Sequence, residues 1–414
     1  MKAVIIGPGR VGCGFAGQLL RASGYSLTFI GRNRRLLSHL NAAGRYRVRL
    51  SNGADSAEIE VGGIEAVSIH DHARAADAIA RADLVATAVG PDNLADVAPL
   101  ISAGLAQRQS PVNVLAFENL ENPGGRIRQL VARELGARRT GAHGFVSALV
   151  SRAVSRLDMT RDPAEPVALI GDEPDTFVVD GRALRDPKPA IAGMQVAADY
   201  GAHVHRKLYM FSAGHATCAY IGYLKGYRYI HAAVRDPEIR AIVRKAMAEG
   251  QAGLAARYGA AFAGGCDTLT AILRRFDNAV LNDPVIRVAR DPCRKLAPSD
   301  RLVGALRLAA KAGRRPTSLA VGIAAALHYR NPDDPAAALL DRDIDGRGAR
   351  AAMERICAVD SASRLGHLVM GRYDRFARGW QRENLLIDLK TMMWAWQPPS
   401  SYGGSGSSGA WHGR

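Results

Sequence analysis

Ala3-Val4-Ile5-Ile6-Gly7-Pro8-Gly9-Arg10-Val11-Gly12 decides the fold of the N-terminal half. An apolar run enters G-x-G-x-x-G directly, and a helical pattern from Val11 to Ala22 follows. Strand, tight glycine turn and helix, in that order, make the dinucleotide turn of a Rossmann unit. The first glycine permits the turn, and the second lets backbone N–H groups approach a pyrophosphate. The third lets helix and strand pack closely. The helix N-terminus adds partial positive charge for the phosphates. Gly7, Gly9, Arg10, Val11 and Gly12 are therefore the expected cofactor contacts. The competing reading is a glycine-rich turn with a structural role only.

Residues 1 to about 150 continue the alternation of short apolar runs and helical stretches. Strands are expected at Ala3 to Ile6, Ser26 to Ile30, Leu84 to Val89, Val112 to Phe117 and Ala142 to Val146. Such alternation implies a parallel sheet covered on both faces. Arg45 to Val67 reads as an inserted pair of short strands. From about Asp186 the texture changes: Ala, Leu, Arg and Ile recur at helical spacing. Helices are expected at 203–234, 236–258, 265–277, 299–312, 317–329 and 348–375. Asp236-Pro237-Glu238 is a good start signal, with Pro at the first helical position. The fold class is an α/β N-terminal Rossmann domain, doubly wound with a mostly parallel sheet, followed by a mainly α-helical C-terminal domain. The expected domains are 1–185 for the dinucleotide and 186–396 for substrate and catalysis, with a flexible Gly/Ser-rich tail at 397–414.

A chain of 414 residues, 48% hydrophobic, is too long for one ordinary core and suits two. Mean hydropathy is -0.08, and no apolar run reaches the roughly 20 residues of a membrane span. The apolar start runs into a glycine turn rather than a signal-peptide cleavage site. A cytoplasmic protein without membrane contact is expected. Cys13, Cys218, Cys266, Cys293 and Cys357 form no C-x-x-C pair and are odd in number, which suits free thiols in a reducing compartment. The formal charge of +16 is spread along the chain and comes mostly from Arg. No dense basic run with interleaved aromatics occurs, which argues against nucleic acid. The excess is consistent with an anionic small-molecule substrate, and equally with compositional Arg enrichment.

The second strand is followed by Gly31-Arg32-Asn33-Arg34-Arg35. An NAD-preferring site usually places a carboxylate here for the ribose 2′-hydroxyl. Guanidiniums instead suit a 2′-phosphate, with which Arg makes charge-assisted, often bidentate contacts. Arg32, Asn33 and Arg34 are thus expected to favour NADP(H), with NAD(H) possible. The alternative is a solvated basic helix start.

Lys207-Leu208-Tyr209-Met210-Phe211-Ser212-Ala213-Gly214-His215 is the most informative stretch of the second half. A regular helix would set Lys207, Ser212 and His215 within an arc of about 140°. A desolvated lysine can act as acid and base. Taken alone, Lys207 also suits a surface and His215 a core. The segment resembles the signature of the polyol-specific long-chain dehydrogenases, the mannitol dehydrogenase family, and especially its mannitol-phosphate branch. That signature is Lys, five residues on Asn, three more on His; Lys207 and His215 match, and Ser212 replaces the Asn. Ala219 to Tyr227, Arg275-Phe276-Asp277-Asn278, Arg287 to Arg301, Met1 to Arg32 and Ala116 to Leu120 are similar too.

The resemblance implies metal-free hydride transfer between a secondary alcohol and a ketone. Lys207 is then the acid/base, His215 a substrate-side partner, and two Asn side chains stabilise the developing alkoxide. Asn119 matches one, with a turn or helix cap as its alternative; Ser212 stands for the other. A second departure is Gly144-Phe145-Val146-Ser147-Ala148, with Ser151-Arg152 where the branch has Asp-Arg. Arg287, Arg290, Arg294 and Lys295 form a basic cluster suited to a substrate phosphate or carboxylate. Arg290 and Arg294 are the expected contacts, Arg290 first; ordinary surface charge is the alternative. His70/His72 and His203/His205 lack further ligands at metal spacing, so no metal is expected. The expected activity is a metal-free NADP(H)-dependent oxidoreductase of a polyol or keto-sugar phosphate, monomeric or homodimeric. Two alternatives are a family member acting on another hydroxy or keto acid, and a non-catalytic dinucleotide-binding sensor.

Overall fold

A computed structural model of the chain describes residues 1–378. The expected tail at 397–414, and the end of the expected second domain, lie outside the described residues. Two compact units emerge. The first comprises Met1–Leu208, Gly226–Asp236 and Thr270–Val288. Tyr209–Lys225, Pro237–Leu269 and the described residues from Ala289 onward form the second.

The strands of the first unit are β1 (Lys2–Ile6), β2 (Ser26–Gly31), β3 (Arg45–Ser51), β4 (Ser56–Gly62), β5 (Ile64–Ser68) and β6 (Leu84–Thr87). They continue with β7 (Asn113–Ala116), β8 (Gly144–Val150), β9 (Val154–Asp158), β10 (Val167–Asp172), β11 (Phe177–Asp180) and β12 (Met194–Ala197). The main sheet has eight strands in the order β12-β11-β8-β7-β6-β1-β2-β5. From β5 to β8 all pairings are parallel; β11 runs antiparallel to β8. Alternate residues of β1 feed two cores, as a doubly wound sheet requires. Ala3 and Ile5 pack with Leu36, Leu37 and Leu40. Val4 and Ile6 pack on the other face with Ile79, Ile101 and Ile127.

All five expected strands are present. The expected inserted pair is present as β3 and β4, which pair antiparallel; the end of the stretch forms a third strand, β5, which leaves them and pairs with β2. The pair joins β10 and β9 in a four-stranded sheet ordered β4-β3-β10-β9. This sheet packs on the helix that follows the glycine turn. The Tyr46 hydroxyl donates to the Cys13 carbonyl at 2.9 Å. A Cβ at Gly17 would stand 2.4 Å from that hydroxyl, and one at Gly14 only 2.8 Å from Val154. The Arg152 guanidinium is buried against the same helix. It donates to the Gly14 carbonyl at 2.9 Å and to Gln18 at 2.8 Å, and it lies over the Phe15 ring.

The second unit is helical, as expected. Every residue of Thr317–Leu327 is buried, against the helices Ala213–Leu224, Pro237–Tyr258 and Arg364–Ala377. Its N-terminus is capped by another helix: half-buried Glu249 accepts from the Ser318 and Leu319 N–H groups, both at 2.9 Å. Burial pushes the Glu249 carboxyl up to about 7, against the pull of these donors. The expected helix at 203–234 breaks after Leu224, where Gly226 takes a left-handed φ of 77°. The expected helix at 348–375 is likewise two pieces, parted at Ala358 with φ 47°. None of the five cysteines is joined in a disulfide, and among the described residues no helix is long and apolar enough to cross a membrane.

Candidate active site

The glycine turn sits at the carboxyl end of β1. The sheet's order diverges there, β2 following on one side and β6 lying on the other; ligands of open α/β sheets bind at such switch points. Gly7 takes φ 103°, and its N–H donates to the Ile30 carbonyl at 2.8 Å. A Cβ on Gly12 would stand 2.0 Å from the Gly7 oxygen, so the turn closes only with glycine there. At Gly9 a Cβ meets nothing within 4 Å. That open face of backbone fits the close approach of a pyrophosphate. Arg10 is exposed and Val11 half-buried where the helix begins.

At the end of β2, Asn33 caps the helix Arg34–Ala43 by accepting from the Leu36 N–H at 3.2 Å. Arg32, Arg34 and Arg35 are all exposed. Arg35 donates to the Thr160 carbonyl at 3.0 Å, and Arg32 makes a long contact with Asn93 at 3.4 Å. No acidic residue occupies the first turn of this helix. Cations there oppose the helix dipole, and an anion at this corner would offset the penalty.

Asn119 is exposed just past β7, beside buried Glu118. Glu118 accepts from Thr87 Oγ1 at 2.8 Å and from the Val89 N–H at 3.0 Å, clasping the ends of β6 and β7. Burial raises its pKa. Sequence reasoning included Glu118 only within the similar stretch Ala116 to Leu120. Ser147, which departs from the family pattern, is buried. It accepts from the Gly124 N–H and donates to Asn122, both at 3.0 Å, fixing the start of the helix Pro123–Leu135.

Lys207, Ser212 and His215 lie on one continuous helical stretch, Tyr200–Arg206, Lys207–Ser212 and Ala213–Leu224. The middle segment is a π turn. An extra residue in one turn rotates everything after it by about 100° relative to everything before it. The arc expected from a regular helix is therefore not the one adopted. Lys207, Ser212 and His215 are half-buried, and the His215 ring packs edge-on to Phe211 at 5.6 Å. Among the described residues, the two π turns are Gly12–Gly17 and Lys207–Ser212. They fall on the two segments that the motifs select, and π turns are frequent at functional sites.

The basic cluster is not uniform. Arg287 is held by Asp283 through two contacts of 2.6 Å. Arg294 pairs with Asp291 at 2.7 Å and faces Asp300 at 3.9 Å. Arg290 is exposed, and its carbonyl accepts from the Lys295 ammonium. Lys295 is buried at 5% exposure. Burial, with Arg301 and Arg294 nearby, lowers its pKa to about 7. Among the described residues no group of three or more His, Cys, Asp or Glu is placed to hold a metal ion.

Comparison with known proteins divides the chain into two successive parts. Residues 1–193 match the family of the mannitol dehydrogenase Rossmann domain, and residues 199–360 that of the mannitol dehydrogenase C-terminal domain. A mannitol-1-phosphate 5-dehydrogenase from an Exiguobacterium strain is 37% identical over 381 residues, covering 90% of this chain and 97% of the relative. Among solved structures, a D-sorbitol dehydrogenase in substrate-free form aligns with a TM-score of 0.74 at 16% identity, over 91% of this chain and 93% of that one. Pseudomonas fluorescens mannitol 2-dehydrogenase, in a ternary complex with NAD and D-mannitol, aligns with a TM-score of 0.71 at 18% identity, over 95% and 94%. These two likenesses bear on the fold. With both halves matched in order and a relative of this identity along nearly its whole length, the chain belongs to the mannitol dehydrogenase family.

Proposed function

We propose that this dehydrogenase of CH–OH groups interconverts a secondary alcohol and a ketone on a polyol or keto-sugar phosphate, in the cytoplasm, without a metal, and with NADP(H) preferred over NAD(H). Residues 1–185 take the dinucleotide and residues 186–396 the substrate; the protein works as a monomer or homodimer and binds no nucleic acid. The carrying observation is the helical stretch Tyr200–Leu224, where Lys207, Ser212 and His215 bracket a π turn in a chain of this family. The Exiguobacterium relative supports a phosphorylated hexitol as substrate.

When bound, the nicotinamide supplies the hydride donor or acceptor. Gly7, Gly9 and Gly12, with the backbone at Arg10 and Val11, hold the pyrophosphate. Arg32 and Arg34 meet the 2′-phosphate at the helix start capped by Asn33. Lys207 takes the hydroxyl proton in oxidation and returns it in reduction. Asn119 and Ser212 donate to the substrate oxygen as negative charge grows there, and His215 orients a neighbouring hydroxyl. Arg290 is the first choice for the substrate phosphate, because Arg294 already carries two carboxylates. Lys295 adds a proton-dependent charge beside them.

With fructose 6-phosphate as oxidant, purified protein should consume NADPH, with at least a tenfold advantage over NADH, about 1.4 kcal/mol. Replacing both Arg32 and Arg34 by Ala should erase that advantage. Steady-state rates with matched cofactors decide it. No turnover with any keto sugar or keto acid would sink the enzymatic reading, and equal affinities in the wild type would sink the phosphate corner alone.

Ser212 and Ser151 favour a second reading, a pocket rebuilt for a different hydroxy or keto acid. An oxyanion donor is worth about 3 kcal/mol in rate. In a weakened mannitol-phosphate enzyme, Ser212→Asn should raise turnover on fructose 6-phosphate. In a rebuilt pocket the larger amide should lower activity on the true substrate and leave fructose 6-phosphate poor. Kinetics of both proteins on keto sugars and keto acids separate the two.

A further inference from the structure

A π turn inside a helix persists when its surroundings over-determine it. In the Lys207–Ser212 turn the residue so held is Tyr209, which is 6% exposed. Its backbone carbonyl faces Gly250 of the helix Pro237–Tyr258; a Cβ there would lie 2.0 Å from that oxygen. Its ring faces Gly304 of the helix Val303–Lys311, where a Cβ would lie 2.6 Å from the ring edge. Its hydroxyl donates to the Ser299 carbonyl at 3.0 Å. Ser299 lies four residues past Lys295 and directly before the ion-paired Asp300 and Arg301. All these groups belong to the second compact unit.

We infer that Tyr209 is a positioning residue. Wedged between two glycines and tied to the 295–301 segment, it keeps the extra residue in the turn and so fixes the angular register of Ser212 and His215 relative to Lys207. Relaxation to an α turn would swing them by about 100° around the helix axis. This inference rests on the functional reading above, in which Lys207 is the acid/base.

The test is Tyr209→Phe, which removes only the hydroxyl, assayed beside wild type and Lys207→Ala. The expected result is a fall in kcat of at least tenfold, with the KM for NADPH within twofold. The isotope effect with deuterated NADPH on kcat should rise as hydride transfer becomes limiting. Gly250→Ala, which presses on the Tyr209 backbone carbonyl, should give the same signature. A normal kcat and isotope effect in folded Tyr209→Phe would overturn the inference, whatever its unfolding midpoint. Loss of folding in both variants would equally overturn it, since Tyr209 would then hold the unit rather than the turn. Near-normal turnover in Lys207→Ala marks the separate failure of the functional reading.

Discussion

Lys207→Ala should lose at least about a hundredfold in turnover, roughly 2.7 kcal/mol of transition-state stabilisation, while NADPH binding stays within a factor of about two. The separation of effects follows from placement: Lys207 opens the π turn of the helical stretch, whereas the glycine turn lies far away in sequence, at the end of β1. In the proposed mechanism the lysine acts on the substrate proton and takes no part in holding the dinucleotide. Single-turnover kinetics, with cofactor affinity measured by fluorescence titration, read the two terms separately. A mutant turning over at near-normal rate would remove Lys207 from the mechanism.

Gly12→Ala should do the converse. A single added methyl would stand 2.0 Å from the Gly7 carbonyl oxygen, far inside van der Waals contact, and the turn must open to admit it. Loss of at least about a hundredfold in dinucleotide affinity is expected, again roughly 2.7 kcal/mol. The unfolding midpoint should fall as well, because Gly12 opens a π turn of buried residues. Calorimetric titration with NADPH and a thermal melt check both parts. Affinity retained within threefold would show that the turn does not cradle the pyrophosphate.

The glycine turn was legible because everything it does is local: strand, turn and helix are contiguous, and the chemistry is carried by backbone. The five apolar strands were legible for a similar reason, being buried on both faces and therefore continuous in hydrophobicity. The four-stranded sheet was not. It pairs β3 with β10, more than a hundred residues apart, and its strands are short or alternate with charge, as in Arg45-Tyr46-Arg47-Val48-Arg49. The helix that carries Lys207 overlaps the expected 203–234, yet neither its π turn nor its break after Leu224 left a mark in the periodicity. The cause of the π turn lies in Gly250 and Gly304, which only folding brings to Tyr209. The basic cluster misled in another way: counting charges along the chain could not show that Arg287 and Arg294 meet their own carboxylates while Lys295 is buried.

The four-stranded sheet also constrains how the protein can be re-engineered. Gly14 and Gly17 are not part of the phosphate fingerprint, yet Val154 and Tyr46 press on them as closely as any ligand would. Grafting the first helix of an ordinary Rossmann enzyme, with alanine or valine at these positions, would keep the G-x-G-x-x-G motif and still push the inserted sheet off its seat. Cofactor-swapping chimeras should therefore exchange Arg32 to Arg35 alone and leave residues 12–18 in place, or carry β3, β4, β9 and β10 across together with the helix.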